Sequence, residues 1–251
     1  MAEHRFRKAR VPGSIPGFGS RIMSSRNALA WESEYRDSKL LTLGTEPLAS
    51  VRDFAKWLRR KRKVDMSDFF VLDLGCGNGK NLAYMVGEFA RSGTGYDISP
   101  TAISEAGRLK GDLDVAYQVR SIDEPFPMGD GSVDLALDVT ASNSLDEKGR
   151  IVFVSEVARV LKPGAFFFVR ALCKDGDDNA KRLVREFPGV ERDTYVLPGV
   201  GVTERVFSRQ DFIDTYSPLF EVVSLERASG YQKWGNQSYR RNYWIAYLSR
   251  K

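Results

Sequence analysis

The chain has 251 residues, 42% of them hydrophobic, and a formal net charge of +5. That suits one large domain with a proper core and is too apolar for a disordered protein. Two cysteines (Cys76, Cys173) and a single histidine (His4) exclude a cysteine-ligated iron–sulfur cluster, a histidine triad and a histidine-rich metal site within the chain. No metal is expected, and any general base must be Asp, Glu, Lys, Tyr or water. No apolar run reaches the roughly 18 residues of a membrane span, and no signal-peptide pattern opens the chain, so a cytoplasmic location is expected.

In chain order, residues 1–28 are rich in Arg, Gly, Ser and Pro and lack an apolar period. They read as a flexible basic arm, and 29–251 as a single domain. Trp31 and Tyr35 share one face of a short helix. Leu48, Val51, Phe54, Ala55 and Leu58 keep a helical period that ends in the basic block 59–63, where the helix dipole favours cations. Strands are expected over 69–74, 94–97, 115–119, 133–138 and 165–172. Between them lie helices marked by Leu82, Met85, Val86 and Phe89, by Ser99-Pro100 with Ala102 and Ala106, and by Val154, Val157, Ala158 and Leu161. This alternation predicts an α/β fold, a doubly wound and mostly parallel seven-stranded sheet with helices on both faces.

Residues 174–207 break the rhythm, being charged and carrying Pro188 and Pro198. They read as a long irregular lid or binding loop. Phe212 and Tyr216 mark a short helix, and 220–223 and 243–247 the last two strands. The stretch 227–241 between them is too long for a tight hairpin and reads as a second substrate-side insertion. Arg240, Arg241, Arg250 and Lys251 read as a solvated basic surface or, on the functional reading, as an attraction for a polyanion.

The chemistry concentrates after the first strand. Gly75, Gly77 and Gly79 read G-x-G-x-G, whereas the dinucleotide fingerprint places its third glycine where this chain has Lys80. Glycine permits a sharp bend and a close ligand approach to the main chain. Asp97, ending the second strand, can accept hydrogen bonds from both hydroxyls of a ribose, and Asp73 can orient an ammonium group. The bland alternative for both acids is a helix cap or a satisfied turn.

The segments VLDLGCGNGK, GTGYDIS, SIDEPFPMGDGSVDLALD and EVARVLKPGAFFFV, in that order over about 45–172, resemble the successive motifs of class I S-adenosylmethionine-dependent methyltransferases, in the style of the broad type 11 group. The resemblance implies a Rossmann-like fold and S-adenosyl-L-methionine as cofactor. By it, Gly75, Gly77, Asn78 and Gly79 form the turn along the methionine part, Asp97 holds the ribose and Ile98 packs on adenine. Ile122 and Asp123 meet the adenine ring and its amino group, and Asp138 and Val139 close the fourth strand against the methionine end. Trp31 and Tyr35 resemble an N-terminal cap over the cofactor, with a core aromatic pair as the alternative.

Substrate-side candidates are Thr140 and Asn143, which follow the fourth strand, and Tyr231 and Trp234, which lie among cations. Thr140 and Asn143 equally suit a helix cap. The residues after Asp138 lack the Pro-Pro-aromatic run of exocyclic-amine base methylases. Cys76 belongs to the glycine turn, and Cys173 reads as a small buried hydrophobe rather than a nucleophile. A small-molecule acceptor is favoured over RNA (tRNA or rRNA) or protein. A catalytically inactive binding module or partner subunit is the reading from another class. An NAD-type oxidoreductase is disfavoured by the glycine spacing.

Overall fold

The computed structural model describes residues 18–38, 44–234 and 237–251, and the side chains of 27–38, 44–231 and 238–251. Helices α1 (Phe18–Arg36) and α2 (Ala49–Arg60) precede an alternating core. It runs β1 (Phe70–Leu74), α3 (Lys80–Glu88), β2 (Ser92–Asp97), α4 (Pro100–Leu109), β3 (Val115–Val119), β4 (Val133–Val139), α5 (Glu147–Val160) and β5 (Leu161–Leu172). Then follow α6 (Asp178–Glu186), β6 (Thr194–Val196), β7 (Thr203–Arg205), α7 (Arg209–Tyr216), β8 (Phe220–Trp234) and β9 (Gln237–Arg250).

The main sheet has seven strands in the order β3-β2-β1-β4-β5-β9-β8. The first five are mutually parallel, and β9 and β8 join antiparallel. All seven expected strands are present. The chain runs outward from β1 to β3 and then returns to β4 on the other side of β1. That reversal opens a crevice at the carboxyl ends of β1 and β4, the usual ligand position in open α/β sheets.

Strand alternation sends side chains to both faces. Leu72, Leu74, Ala136, Phe167 and Val169 pack against Phe153 and Val157 of α5 and Phe212 and Tyr216 of α7. Val71, Leu135, Leu137, Phe166 and Phe168 pack against Phe54 and Leu58 of α2 and Leu82 and Met85 of α3. Local signals set the helix starts. Ser99 caps α4, accepting from the Ala102 amide, with Pro100 in its first turn. Asp146 caps α5, and Ser208 with Asp211 forms a capping box on α7.

Three sequence expectations are corrected. First, α1 begins at Phe18, inside the stretch expected as an arm; residues 1–17 lie outside the described residues. Its apolar period is weak because polar anchors hold it, as shown below. Second, 174–207 is not irregular. It holds α6, capped by Asp177, and the β6–β7 hairpin. Third, 227–241 is not a loop: β8 and β9 stay paired from Phe220↔Arg250 to Trp234↔Gln237, so a two-stranded ribbon runs past the end of β5.

Arg241 is likewise not a surface cation. It is 2% exposed; its guanidinium donates to Tyr195 Oη (2.9 Å) and lies 3.5 Å from Asp177. Tyr195 donates in turn to Glu204 at 2.5 Å, and the Asn242 amide donates to Asp177 at 2.6 Å. This buried network ties the 174–207 segment to β9. Among the described residues no helix is long and apolar enough to cross a membrane.

Candidate active site

The parallel register puts three carboxylates side by side. Asp73, Asp97 and Asp138 stand at the carboxyl ends of β1, β2 and β4, and all three are buried. Each has a different electrostatic position. Asp97 accepts from the Gly77 amide and the Ser99 amide, one bond to each oxygen and both at 2.9 Å. Burial still raises its pKa, against the pull of those amides. Asp138 accepts from the amides of Ala141 (3.0 Å) and Ser142 (3.2 Å) through one oxygen, and its other oxygen has no partner. Burial pushes it up to about 6.

Asp73 is the extreme case. Neither of its oxygens has a hydrogen-bond partner, and the Leu82 amide faces it without completing a bond. Burial first, then the charges of Asp138 and Asp97, push it up to about 8. Unpartnered buried carboxylate oxygens are costly, and a positive charge nearby would offset that cost.

The glycine turn crosses in front of the three acids. The amides of Gly75 and Cys76 both donate to the Tyr96 carbonyl (2.7 and 2.8 Å). Gly75, Gly77 and Gly79 have φ of 72°, 56° and 78°, the left-handed region that favours glycine. Space is short as well: a Cβ on Gly77 would lie 2.6 Å from the Tyr35 hydroxyl.

That hydroxyl belongs to α1, which lies across the site. Two polar anchors fix the helix. Asn27 donates to the Ser144 carbonyl (2.7 Å) and accepts from the Thr203 amide (3.0 Å). Glu32 accepts from Ser99 Oγ (2.6 Å), the Thr101 amide (3.1 Å) and Thr101 Oγ1 (2.7 Å), at the start of α4, and pairs with Arg36 at 2.8 Å. Burial works against the Glu32 charge, but these hydrogen bonds and Arg36 outweigh it and hold the carboxyl at about 2. The result is a covered cavity of about 190 Å³.

Of the residues singled out from sequence, Gly75, Asp97, Ile98, Ile122, Asp123, Val139, Thr140, Trp31 and Tyr35 line this cavity. Asp73, Gly77, Asn78, Gly79 and Asp138 do not line it. They belong to the adjoining turn and strand ends, where Asn78 donates to the Gly44 carbonyl at 3.1 Å. Thr140 adopts φ 60° and donates to the Val139 carbonyl.

Two substrate-side candidates are not brought in. Asn143 is buried behind the wall, accepting from the Leu172 amide at 3.2 Å. Tyr231 is 78% exposed on the ribbon. The Trp234 side chain lies outside the described residues. Cys173 is buried, its thiol pushed up to about 12 by burial, which suits a hydrophobe and not a nucleophile.

Sequence reasoning missed Asn27 and Leu145, which also line the cavity, and Glu32, which anchors its cover. The only signal for Glu32 was an acid four residues before Arg36. The fit to an adenosyl sulfonium is good on three counts. The cavity offers apolar walls (Ile98, Ile122, Val139, Leu145) to a flat ring and Asp97 to a diol, and the glycine turn beside it runs in front of the unpartnered carboxylate oxygens of Asp73 and Asp138, which would favour a cation.

Comparison with known proteins agrees with this geometry. A family model described as "Methyltransferase domain" matches residues 71–164. The chain is 30% identical over 200 residues to the phthiotriol/phenolphthiotriol dimycocerosates methyltransferase of Mycobacterium tuberculosis, covering 72% of this chain and 71% of that protein. It is 23% identical over 229 residues to a tRNA U34 carboxymethyltransferase of Stutzerimonas stutzeri, covering 90% and 67% of the two chains. Its fold is similar to that of the 1,6-didemethyltoxoflavin-N1-methyltransferase of Burkholderia thailandensis, solved with bound 1,6-didemethyltoxoflavin and S-adenosylhomocysteine. There the TM-score is 0.65 at 17% identity, over the full length of both chains.

Proposed function

This chain belongs to the class I S-adenosylmethionine-dependent methyltransferases, and we propose that its acceptor is a small molecule enclosed between α1 and the turn after β4. The observation that carries the proposal is the covered cavity, closed by Asn27 at Ser144 and by Glu32 at the start of α4. An acceptor that meets the cofactor beneath α1 is partly screened from water, which suits a transfer driven by alignment and desolvation.

When bound, the cofactor supplies a methyl group already activated on a sulfonium. Asp97 would hold the ribose hydroxyls on the lone pairs left free by the Gly77 and Ser99 amides, while Ile98 and Ile122 would flank the adenine and Asp123 would take its amino group. Asp73 and Asp138, behind the glycine turn, stabilise positive charge at the methionine end. Asn78 ties the turn to Gly44. Trp31 and Tyr35 cover the site, and Val139, Thr140 and Ala141 would face the transferred group. The charged ribbon with exposed Tyr231 and Arg240 supports RNA as the second reading. Incubation with methyl-labelled cofactor and fractionated extract separates the two. Label in small metabolites is expected, and label confined to RNA or protein overturns the first reading.

Two further outcomes are expected. Replacing Glu32 by Gln keeps its size but weakens its bonds to Ser99 and Thr101. Release of S-adenosylhomocysteine, followed by Trp31 fluorescence, is expected to quicken about fivefold, equivalent to about 1 kcal/mol for one charged hydrogen bond made neutral. An unchanged rate would show that this anchor does not hold the cover.

The second concerns pH. In the free protein the Asp73 pKa is raised from 3.8 to about 8, so the folded state holds a proton that the unfolded chain has lost. Stability of the free protein is therefore expected to fall as pH rises through that window. A bound cation favours the ionised form, so binding releases a proton. Affinity is expected to climb between pH 6 and 8 by up to about tenfold per unit for one linked proton. Calorimetry in MOPS and in Tris measures the release. Flat affinity with no buffer dependence would remove Asp73 from the binding role.

A further inference from the structure

A second cavity, of about 380 Å³, opens between α5 and α7 with Arg205 of β7 at one end. Arg150 of α5 lines it and is 3% exposed. Its guanidinium donates to the Leu145 carbonyl at 2.5 Å, but its Nε is buried without a partner. The Nε of Arg205 is buried and unpartnered in the same way. The two guanidinium carbons converge on one ring, 5.4 and 5.0 Å from the centre of Phe207. Among the described residues neither arginine forms a salt bridge.

Three acids, Glu147, Asp211 and Asp214, share the rim with the arginines, and the charges of Arg192 and Arg205 help to hold Asp211 ionised. Asp211 accepts from the Ser208 amide and hydroxyl (3.3 and 2.6 Å), and Asp214 from Gln210 (2.7 Å). Two like charges held side by side over one ring repel each other, and an anion that reaches their outer N–H groups relieves that repulsion. A guanidinium fork matches the oxygens of a carboxylate or phosphate group, and a desolvated cleft strengthens that bond. Burial, and then the charge of Arg205, lower the Arg150 pKa to about 10, against the pull of Tyr216, Glu191 and Asp146.

We propose that the α5–α7 cleft is an oxyanion-binding site, distinct from the cofactor cavity, in which Arg150 and Arg205 together grip a carboxylate or phosphate group. Exposed Ile151 and Leu219 at its rim would meet an apolar portion of the same ligand. The two sites share a wall: Leu145 lines the covered cavity on one side and holds Arg150 through its carbonyl on the other.

The test uses the full chain saturated with S-adenosylhomocysteine, so that the first cavity is filled. Inorganic phosphate and acetate are titrated separately at constant ionic strength, with calorimetry as the readout. Binding of either probe at millimolar concentration is expected, and the probe that binds identifies the source of the oxyanion. Arg205→Gln is expected to weaken it at least tenfold while leaving S-adenosylhomocysteine affinity unchanged. If that variant does not fold, Arg205→Lys, which keeps the charge and removes the guanidinium fork, is expected to weaken it severalfold. Binding that is equal in the variant and the native chain, or absent for both probes in the native chain, overturns the proposal.

Discussion

Asp97→Asn is expected to raise the dissociation constants of S-adenosylmethionine and S-adenosylhomocysteine about a hundredfold, or about 3 kcal/mol for two charged hydrogen bonds to a ribose. The reason lies in how the carboxylate is used. Each oxygen of Asp97 already takes one amide, Gly77 on one side and Ser99 on the other, which fixes its plane and leaves one lone pair on each oxygen. Asparagine keeps a single acceptor and turns an NH₂ toward one of those amides. It loses half of the diol contact and opposes the turn at once. Calorimetry with both ligands reads the effect, and because both carry the ribose, both must weaken alike. A change below about threefold would mean that the ribose lies elsewhere.

The second large effect is structural. A Cβ on Gly75 would sit 2.1 Å from the Cβ of Ala141, at a backbone φ of 72°. Gly75→Ala therefore meets both left-handed strain and a collision between the two chain segments that frame the site. Together these cost about 2–4 kcal/mol, or roughly 5–15 °C in Tm for a chain of this size.

Gly164→Ala separates the two causes. Gly164 has a φ of 76° but nothing within 4 Å of an added Cβ, so it meets strain alone, about 1 kcal/mol. Adding Ala141→Gly to Gly75→Ala removes the collision and is expected to restore the larger part of the loss. If Gly75→Ala unfolds no earlier than Gly164→Ala, the close approach of the β1 and β4 turns is not as described.

How much of this was legible in sequence depended on the kind of interaction. The sheet was legible because β1, β4 and β5 are nearly continuous apolar runs and the helices between them keep their period. Asp73, Asp97 and Asp138 were legible as strand ends because glycines or a register of apolar residues bracket them. The glycine turn announced its chemistry through its spacing together with the buried strand before it, the helix after it and the acid, Asp97, that ends the next strand. The cover did not. Asn27 and Glu32 act through partners 117 and 67 residues away, and such long-range polar pairs leave no periodic trace in α1.

The 174–207 segment misled for a related reason. Its helix buries only Ala180 and Leu183, too few to set a period, and its attachment rests on Arg241 and Asp177, which look like surface charges in isolation. The β8–β9 ribbon was hidden by its composition. Its far part exposes side chains such as Tyr231 and Arg240, so no apolar alternation marks it, although Gly235-Asn236 is a two-residue hairpin signal.

Hydrogen–deuterium exchange of the full chain, with and without S-adenosylhomocysteine, tests the central claim most directly. The account predicts slower exchange in three places together: the amides of 75–79, those of 97–99, and the part of α1 that carries Asn27, Trp31 and Tyr35. Protection that spares 97–99 and α1, or that falls on another edge of the sheet, would contradict it.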